Sequence, residues 1–270
     1  MKIRLYDPRE LVLSPIKQGN HAKLIQKQTF KPNRKMRTNG YLLHETEANG
    51  EKVAIIATGI TRITDNRKTG NMIQLWIILA DTNPVAGVKS GLDANTICQG
   101  CPFASGNGCY VNVGQAPLGI YKSYKKGNYP QLNPKDYAKV FGGRKVRFGA
   151  YGNPTLIPLS MIKAIAKVSD GWTGYFHNWR ELGKAKAKAY NQYFMASTES
   201  ANSYELANTQ GLRVFHASPI QPESTVECLS DTHGIACADC QLCQGWNKRA
   251  KNVWINPHGS GVKKAIAATS

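Results

Sequence analysis

From residue 72 onward the chain alternates short apolar runs with amphipathic segments, and no other feature limits its fold as strongly. "NMIQLWIILA" (71–80), "KVRFGAYG" (145–152), "GWTGYFHNW" (171–179), "FMASTES" (194–200), "GLRVFHAS" (211–218), "STVECLS" (224–230) and "KNVWINPHG" (251–259) have the length and composition of strands. Between them, 113–127, 154–170 after Pro158, and 181–193 read as helices. Strands alternating with helices predict parallel βαβ units, each with a right-handed crossover. A full eight-unit barrel takes about 250 residues, so the rhythmic part predicts an incomplete, TIM-like βα barrel of about six parallel strands. An open doubly wound sheet is the other α/β solution. "GAYGNP", "FHNW", "ASTES", "FHAS" and "ECLS" then fall at strand C-terminal ends, where such folds place their functional mouth.

Residues 1–71 differ. "KQTFKPNRKMRTNG" carries Lys31, Arg34, Lys35 and Arg37 without periodicity and reads as a basic arm. "GYLLHETEA" (40–48) and "EKVAIIATG" (51–59) read as strands joined by Asn49-Gly50, a strong hairpin signal. The expected division is therefore a basic arm with a β-hairpin extension over 1–71 and a βα barrel with cysteine-rich segments over 72–270. The opening "MKIRLYDPRELVLSPIK" lacks a signal-peptide apolar run, and no stretch approaches the roughly 20 apolar residues of a membrane span. A cytoplasmic location follows as the expectation. In that reducing setting, paired cysteine spacings point to metal sites rather than disulfides.

Seven cysteines fall in two groups. "CADCQLC" supplies Cys237, Cys240 and Cys243, and Cys228 is the nearest further thiol. Two-residue gaps let successive thiolates reach one small inorganic core. Consecutive C-x2-C-x2-C is the run ferredoxins use for a four-iron, four-sulfur (4Fe-4S) cluster, whereas zinc ribbons use separated C-x2-C pairs. Soft thiolates suit either metal, so zinc held by Cys228 and two or three of the others is the alternative. "TICQGCPFASGNGCY" (96–110) supplies Cys98, Cys101 and Cys109 among Gly100, Gly106 and Gly108, which allow the backbone to fold closely about a bound group. If the downstream site takes four thiols, this loop keeps three, and three thiolates on a cubane leave one iron open for a substrate, a cofactor or a histidine. One site drawn from both groups, with the remaining cysteines as small buried apolar residues, is a further arrangement.

A strand, a three-cysteine loop, a helix, a strand ending in a Gly/Pro turn and further βα units together resemble the radical S-adenosylmethionine (SAM) superfamily. "RFGAYGNPTL" (147–156) is similar to that family's turn beside the methionine part of SAM, with Gly152, Asn153 and Pro154 at the matching positions. The resemblance implies an incomplete barrel, reductive SAM cleavage at an iron held by Cys98, Cys101 and Cys109, an auxiliary cluster at "CADCQLC", and an electron donor as partner. The loop here is C-x2-C-x7-C rather than the superfamily's C-x3-C-x2-C, and Asn153 stands where that family often has an acidic residue. The chain also resembles cysteine-rich proteins encoded by bacteriophages, which implies a host cytoplasm.

The formal charge of +18, from 35 Lys and Arg against 17 Asp and Glu, suits a polyanionic partner such as nucleic acid. A solvated basic face, or compensation of buried thiolates, accounts for it equally. The rival reading of the chain is thus a zinc-stabilised nucleic-acid-binding protein. His177 and His216 each end a strand and are candidate ligands, acid/base groups or core histidines. Ser197, Thr198 and Glu199 end another, with Glu199 either facing a substrate or opening the next helix. Trp172, Trp179 and Trp254 read as core, and Lys184, Lys186 and Lys188 as a solvated helix face. No phosphate-binding GxxxxGK[ST] loop and no G-x-S-x-G elbow occurs.

Overall fold

The computed structural model describes residues 38–62, 66–245, 250–259 and 261–267. Lys31, Arg34, Lys35 and Arg37 lie outside them. The described residues form a mixed α/β structure with two five-stranded sheets. The first has the order β1 (Gly40–Ala48), β2 (Glu51–Thr58), β3 (Met72–Leu79), β4 (Lys145–Tyr151), β5 (Gly171–Thr173). Its first three strands are antiparallel and its last three parallel. Asn49 and Gly50 both adopt positive φ, 49° and 77°, as a two-residue hairpin turn of matching twist requires. Because β2 pairs with β3 as well as with β1, the hairpin is continuous with the sheet that carries the first parallel strands.

The second sheet is parallel throughout, in the order β6 (Tyr175–Phe176), β7 (Met195–Thr198), β8 (Val214–Ala217), β10 (Asn252–Ile255), β9 (Thr225–Glu227). Only Gly174 separates β5 from β6. A Cβ at that position would lie 2.6 Å from the Phe194 ring, so glycine lets the ring close over the junction where the run 171–179 divides. The described strands do not close into a ring. β10 also sits between β8 and β9, out of chain order.

Crossover helices connect the parallel strands. After β3 come α1 (Pro84–Ser90), a π-helical turn (Ala94–Cys98), α2 (Ala116–Lys125) and α3 (Tyr137–Phe141). Then α4 (Leu159–Val168) joins β4 to β5, α5 (Lys184–Asn191) joins β6 to β7, and α6 (Ala201–Thr209) joins β7 to β8. Each boundary has a chemical cause. Asn83 caps α1 by accepting from Ala86 N at 3.0 Å, and Gly91 ends it in the left-handed region. Ser200 and Ser203 cap α6 reciprocally. α4 turns Ile162, Ile165 and Ala166 inward. The main core lies under β2, β3 and β4, where Val53, Ile55, Ile56, Ile73, Ile77, Ile78 and Phe148 are buried. The last described helices, α7 (Leu229–Thr232), α8 (Cys237–Cys240) and α9 (Val262–Ala267), are short and carry or cover the cysteine segments. No helix among the described residues is long and apolar enough to cross a membrane.

Candidate metal centres

The downstream cysteines gather first. Cys228 follows β9 and opens α7, its N–H bonded to Trp254 O at 2.8 Å. Cys237 and Cys240 are the two ends of α8. This one-turn helix is held from outside itself: Cys237 N donates to Lys68 O at 2.8 Å, Ala238 N to Thr69 O at 3.1 Å, and Lys145 Nζ donates to Ala238 O. Gly70 is required beneath it, since a Cβ there would meet Ala236 and Ala238 at 3.0 and 3.1 Å. Gln241, at φ 56°, reverses the chain toward Cys243. Arg213 then fixes the returning loop, donating to Leu242 O and Gly245 O, each at 2.6 Å, and to Lys251 O at 3.1 Å.

Cys228, Cys237, Cys240 and Cys243 line one pocket together with Thr173, Tyr175, Leu242 and Val253. Its thiols are not joined in disulfides. Burial pushes the Cys240 thiol up to about 11, with the Cys228 and Cys237 thiolates adding and Arg213 opposing. Burial raises Cys243 further, against a hydrogen bond from the Tyr175 hydroxyl. Tyr175 is itself raised by burial and then by the Cys243 and Cys237 thiolates, while Arg147 stacks over its ring at 5.6 Å. Thr173 Oγ1 is buried and finds no hydrogen-bond partner among the described residues. Buried hydroxyls rarely go unpaired, so an acceptor in this pocket suits it. Four soft thiols, a tyrosine donor and an orphan hydroxyl form a donor set that fits a thiolate-bound inorganic core.

Residues from both ends of strands border this pocket: Lys145 begins β4, Gly171 begins β5 and abuts Gln241, and Arg213 precedes β8, whereas Thr173 ends β5 and Cys228 follows β9. The sequence places the downstream cysteines at the C-terminal mouth. Cys228 directly follows β9, at the strand C-terminal end the sequence gives it, and the segment after it returns to the start of β10, as any connection between parallel strands must.

The three-cysteine loop does occupy the C-terminal ends. The π-helical turn ends at Cys98, and Gln99 and Gly100 follow at φ 35° and 73°. Cys101 N bonds back to Cys98 O at 3.3 Å. Burial pushes Cys98 well up, with Asp93, Cys101 and Cys109 adding, and pushes Cys109 up to about 11. Asp93, 2% exposed, accepts from Tyr151 Oη at 3.1 Å, from Ser105 Oγ at 3.4 Å and from Cys98 Sγ at 3.9 Å. α9 covers the loop so closely that a Cβ on Gly108 would lie 2.6 Å from Ala265 N.

His177 stands directly after β6 and faces this loop. Its Nδ1 is 3.2 Å from Glu199 Oε1. Burial disfavours its charged form, but the Cys101 thiolate, by charge and hydrogen bond, and then Glu199 hold its pKa up at about 10. Glu199, 7% exposed, also accepts from Ser197 Oγ at 3.1 Å, and its own N–H donates to Ser203 Oγ at 3.1 Å. It precedes the α6 cap rather than opening the helix. His216 is a core histidine: Nδ1 pairs with Thr198 Oγ1 at 2.9 Å, the ring packs on Tyr204, and burial lowers its pKa.

The Gly/Pro turn sits beside the cysteine loop, with Asn153 N donating to Ile97 O at 2.7 Å. Its residues have local tasks. Gly152, at φ 79°, presses on β3, where a Cβ would come within 2.7 Å of Ile77 Cβ and O. Asn153 caps the following turn at Thr155 N and donates to Asn178 Oδ1 at 2.9 Å. Pro154 packs on Gly149. Asn178 in turn donates to Gln99 Oε1 at 2.9 Å. Trp172, Trp179 and Trp254 each donate their indole N–H to backbone carbonyls, and Lys184, Lys186 and Lys188 are exposed on α5.

Asp93, Gln99, Tyr151, Thr173, Tyr175 and Arg213 join these sites without having been legible as site residues. Gln99 lies within the Cys98–Cys101 spacing, and the others stand outside the cysteine motifs and reach their sites through the fold. No group of three or more His, Cys, Asp or Glu side chains among the described residues is positioned to hold a metal ion. No family model matches the chain, and no curated protein or solved structure matches it.

Proposed function

We propose that the chain is an iron–sulfur protein whose two sheets, continuous through Gly174, form an incomplete βα barrel of the radical-SAM type. The observation that carries this reading is the convergence of Cys228, Cys237, Cys240 and Cys243 on one pocket. A 4Fe-4S cluster there supplies one-electron chemistry. The chain's own residues do the rest. Four thiolates hold it, Tyr175 donates a hydrogen bond to Cys243, and Arg213 places a cation beside Cys240 and Cys243 while pinning their loop. Cys98, Cys101 and Cys109 form the second site. A function in electron transfer follows, with an electron donor as partner.

Analysis of metal and acid-labile sulfide in anaerobically purified protein tests this. Iron with matching sulfide and broad absorption near roughly 400 nm is expected from thiolate-to-iron charge transfer. Stoichiometric zinc without sulfide overturns it and favours the zinc-stabilised reading, in which the basic surface meets nucleic acid. That second reading rests on the charge of +18 and on the exposed Lys184, Lys186 and Lys188. It requires affinity for DNA or RNA that falls steeply with salt through counterion release. For the SAM-cleaving form, 5′-deoxyadenosine from reduced protein and SAM is the discriminating product.

A further inference from the structure

We infer that His177 is the fourth ligand of the site made by Cys98, Cys101 and Cys109, with Glu199 as the carboxylate that orients its ring. The inference rests on the iron–sulfur reading above and goes beyond it, because it closes a vertex that a three-cysteine loop alone leaves open.

Three observations place the ring. First, Nδ1 is engaged by Glu199 Oε1 at 3.2 Å, which leaves Nε2 as the nitrogen for the Cys101 side. Histidines that bind metals commonly donate their other ring N–H to a carboxylate, which fixes tautomer and orientation and raises ligand basicity. Here the Nδ1 proton is held by Glu199 and the Nε2 lone pair goes to iron, the Nε2 proton leaving to solvent. Second, Glu199 is held independently, by Ser197 Oγ and through its N–H by Ser203 Oγ, each at 3.1 Å. A carboxylate fixed on a strand end and a helix cap is a positioning group, not a mobile surface charge. Third, the side chain next to His177 is tied to the cysteine loop. The neighbouring Asn178 bridges to Gln99 at 2.9 Å and to Asn153 at 2.9 Å. Two charged groups border the loop beside it: Asp93, which accepts from Cys98 Sγ at 3.9 Å, and Glu181, which lies against Gly100. Asp93 is also bonded to Tyr151 and Ser105, while Arg180 stacks over Trp179 at 4.1 Å.

The test uses the full chain carrying [15N]histidine, loaded anaerobically with iron and sulfide, reduced with dithionite and read by pulsed EPR. A strongly coupled histidine nitrogen is expected in the wild-type protein. In His177→Cys that coupling should vanish while iron and sulfide are retained, because a thiolate takes the vertex. Glu199→Gln should keep the nitrogen but alter its coupling, which a merely structural Glu199 would not do. Adding SAM should leave the histidine coupling in place. Full iron and sulfide without a strongly coupled nitrogen overturns the inference alone, as does coupling that persists in His177→Cys or disappears when SAM is added. Absence of iron and sulfide overturns the reading beneath it. The wild-type measurement decides even where a variant fails to fold.

Discussion

Tyr175 bears on the four-cysteine pocket through one hydroxyl. It donates to Cys243, and hydrogen bonds to cluster sulfurs are among the factors that set reduction potential. Tyr175→Phe keeps the ring packed on Phe215 at 4.4 Å and removes only that donor. The reduced, more negative cluster loses more than the oxidised one, so the potential should fall by on the order of tens of millivolts, measurable by redox titration. No change would mean the hydroxyl does not act on the cluster. Gly152 and Gly50 give a second contrast. Both have positive φ, but only at Gly152 would a Cβ meet backbone, 2.7 Å from Ile77 O, while Gly50 has open space. Gly152→Ala combines strain with overpacking and should cost about 2–4 kcal/mol, against about 1–2 kcal/mol for Gly50→Ala. Equal shifts in thermal unfolding would contradict the close approach to β3. The Gly/Pro turn was legible as a special backbone position, but its contact with Ile77 was not, because nothing local in 147–156 names its partner strand.

Among the elements, α8 spans only Cys237–Cys240 and depends on its neighbours. Lys68, Thr69 and Lys145 hold one side, and Arg213 holds the loop that follows. Arg213→Ala removes the donors to the Leu242, Gly245 and Lys251 carbonyls and should release Cys243 from the pocket, so iron content should drop by half or more while the fold persists. Arg213→Lys, lacking the planar fork, should recover only part of it. Iron content equal to wild type in Arg213→Ala would show that the loop does not need this clamp. The grouping of Cys228 with the C-x2-C-x2-C run follows from thiol count and spacing. The contacts that hold it do not, because Lys68, Thr69, Lys145 and Arg213 reach it from distant parts of the chain that no local pattern links to the cysteines. The hairpin at Asn49-Gly50 is the opposite case, since its turn chemistry is complete within two residues. The division at Gly174 depends on Phe194, twenty positions away, and periodicity across 171–179 gives no sign of it.

Across the whole molecule, buried thiols in both cysteine groups shape its response to pH. Burial raises the pKa of Cys98, Cys109, Cys228, Cys240 and Cys243 above the ordinary 9.0, with Cys109 and Cys240 at about 11. In protein stripped of metal the folded state therefore binds more protons than the unfolded state between about 9 and about 11. Stability should fall as pH rises through that window, and be unaffected by these groups below it. Loaded protein, whose thiolates are already ionised against metal, should not show the fall. Melting temperatures from pH 7 to 11, with and without chelator, check this, and parallel curves would count against thiol ligation. The α/β class and the parallel order beyond β3 were legible from strand–helix rhythm, whereas the joining of β1 and β2 to the same sheet as β4 needed the pairing itself. The account stands most directly on one comparison: iron and acid-labile sulfide per chain in wild-type, Cys240→Ser and Cys101→Ser protein purified anaerobically. The result expected is a sharp loss in each variant, with the remaining iron still matched by sulfide, because each substitution empties one of two separate sites. Iron and sulfide unchanged by Cys240→Ser, or zinc in place of both in the wild type, would contradict it.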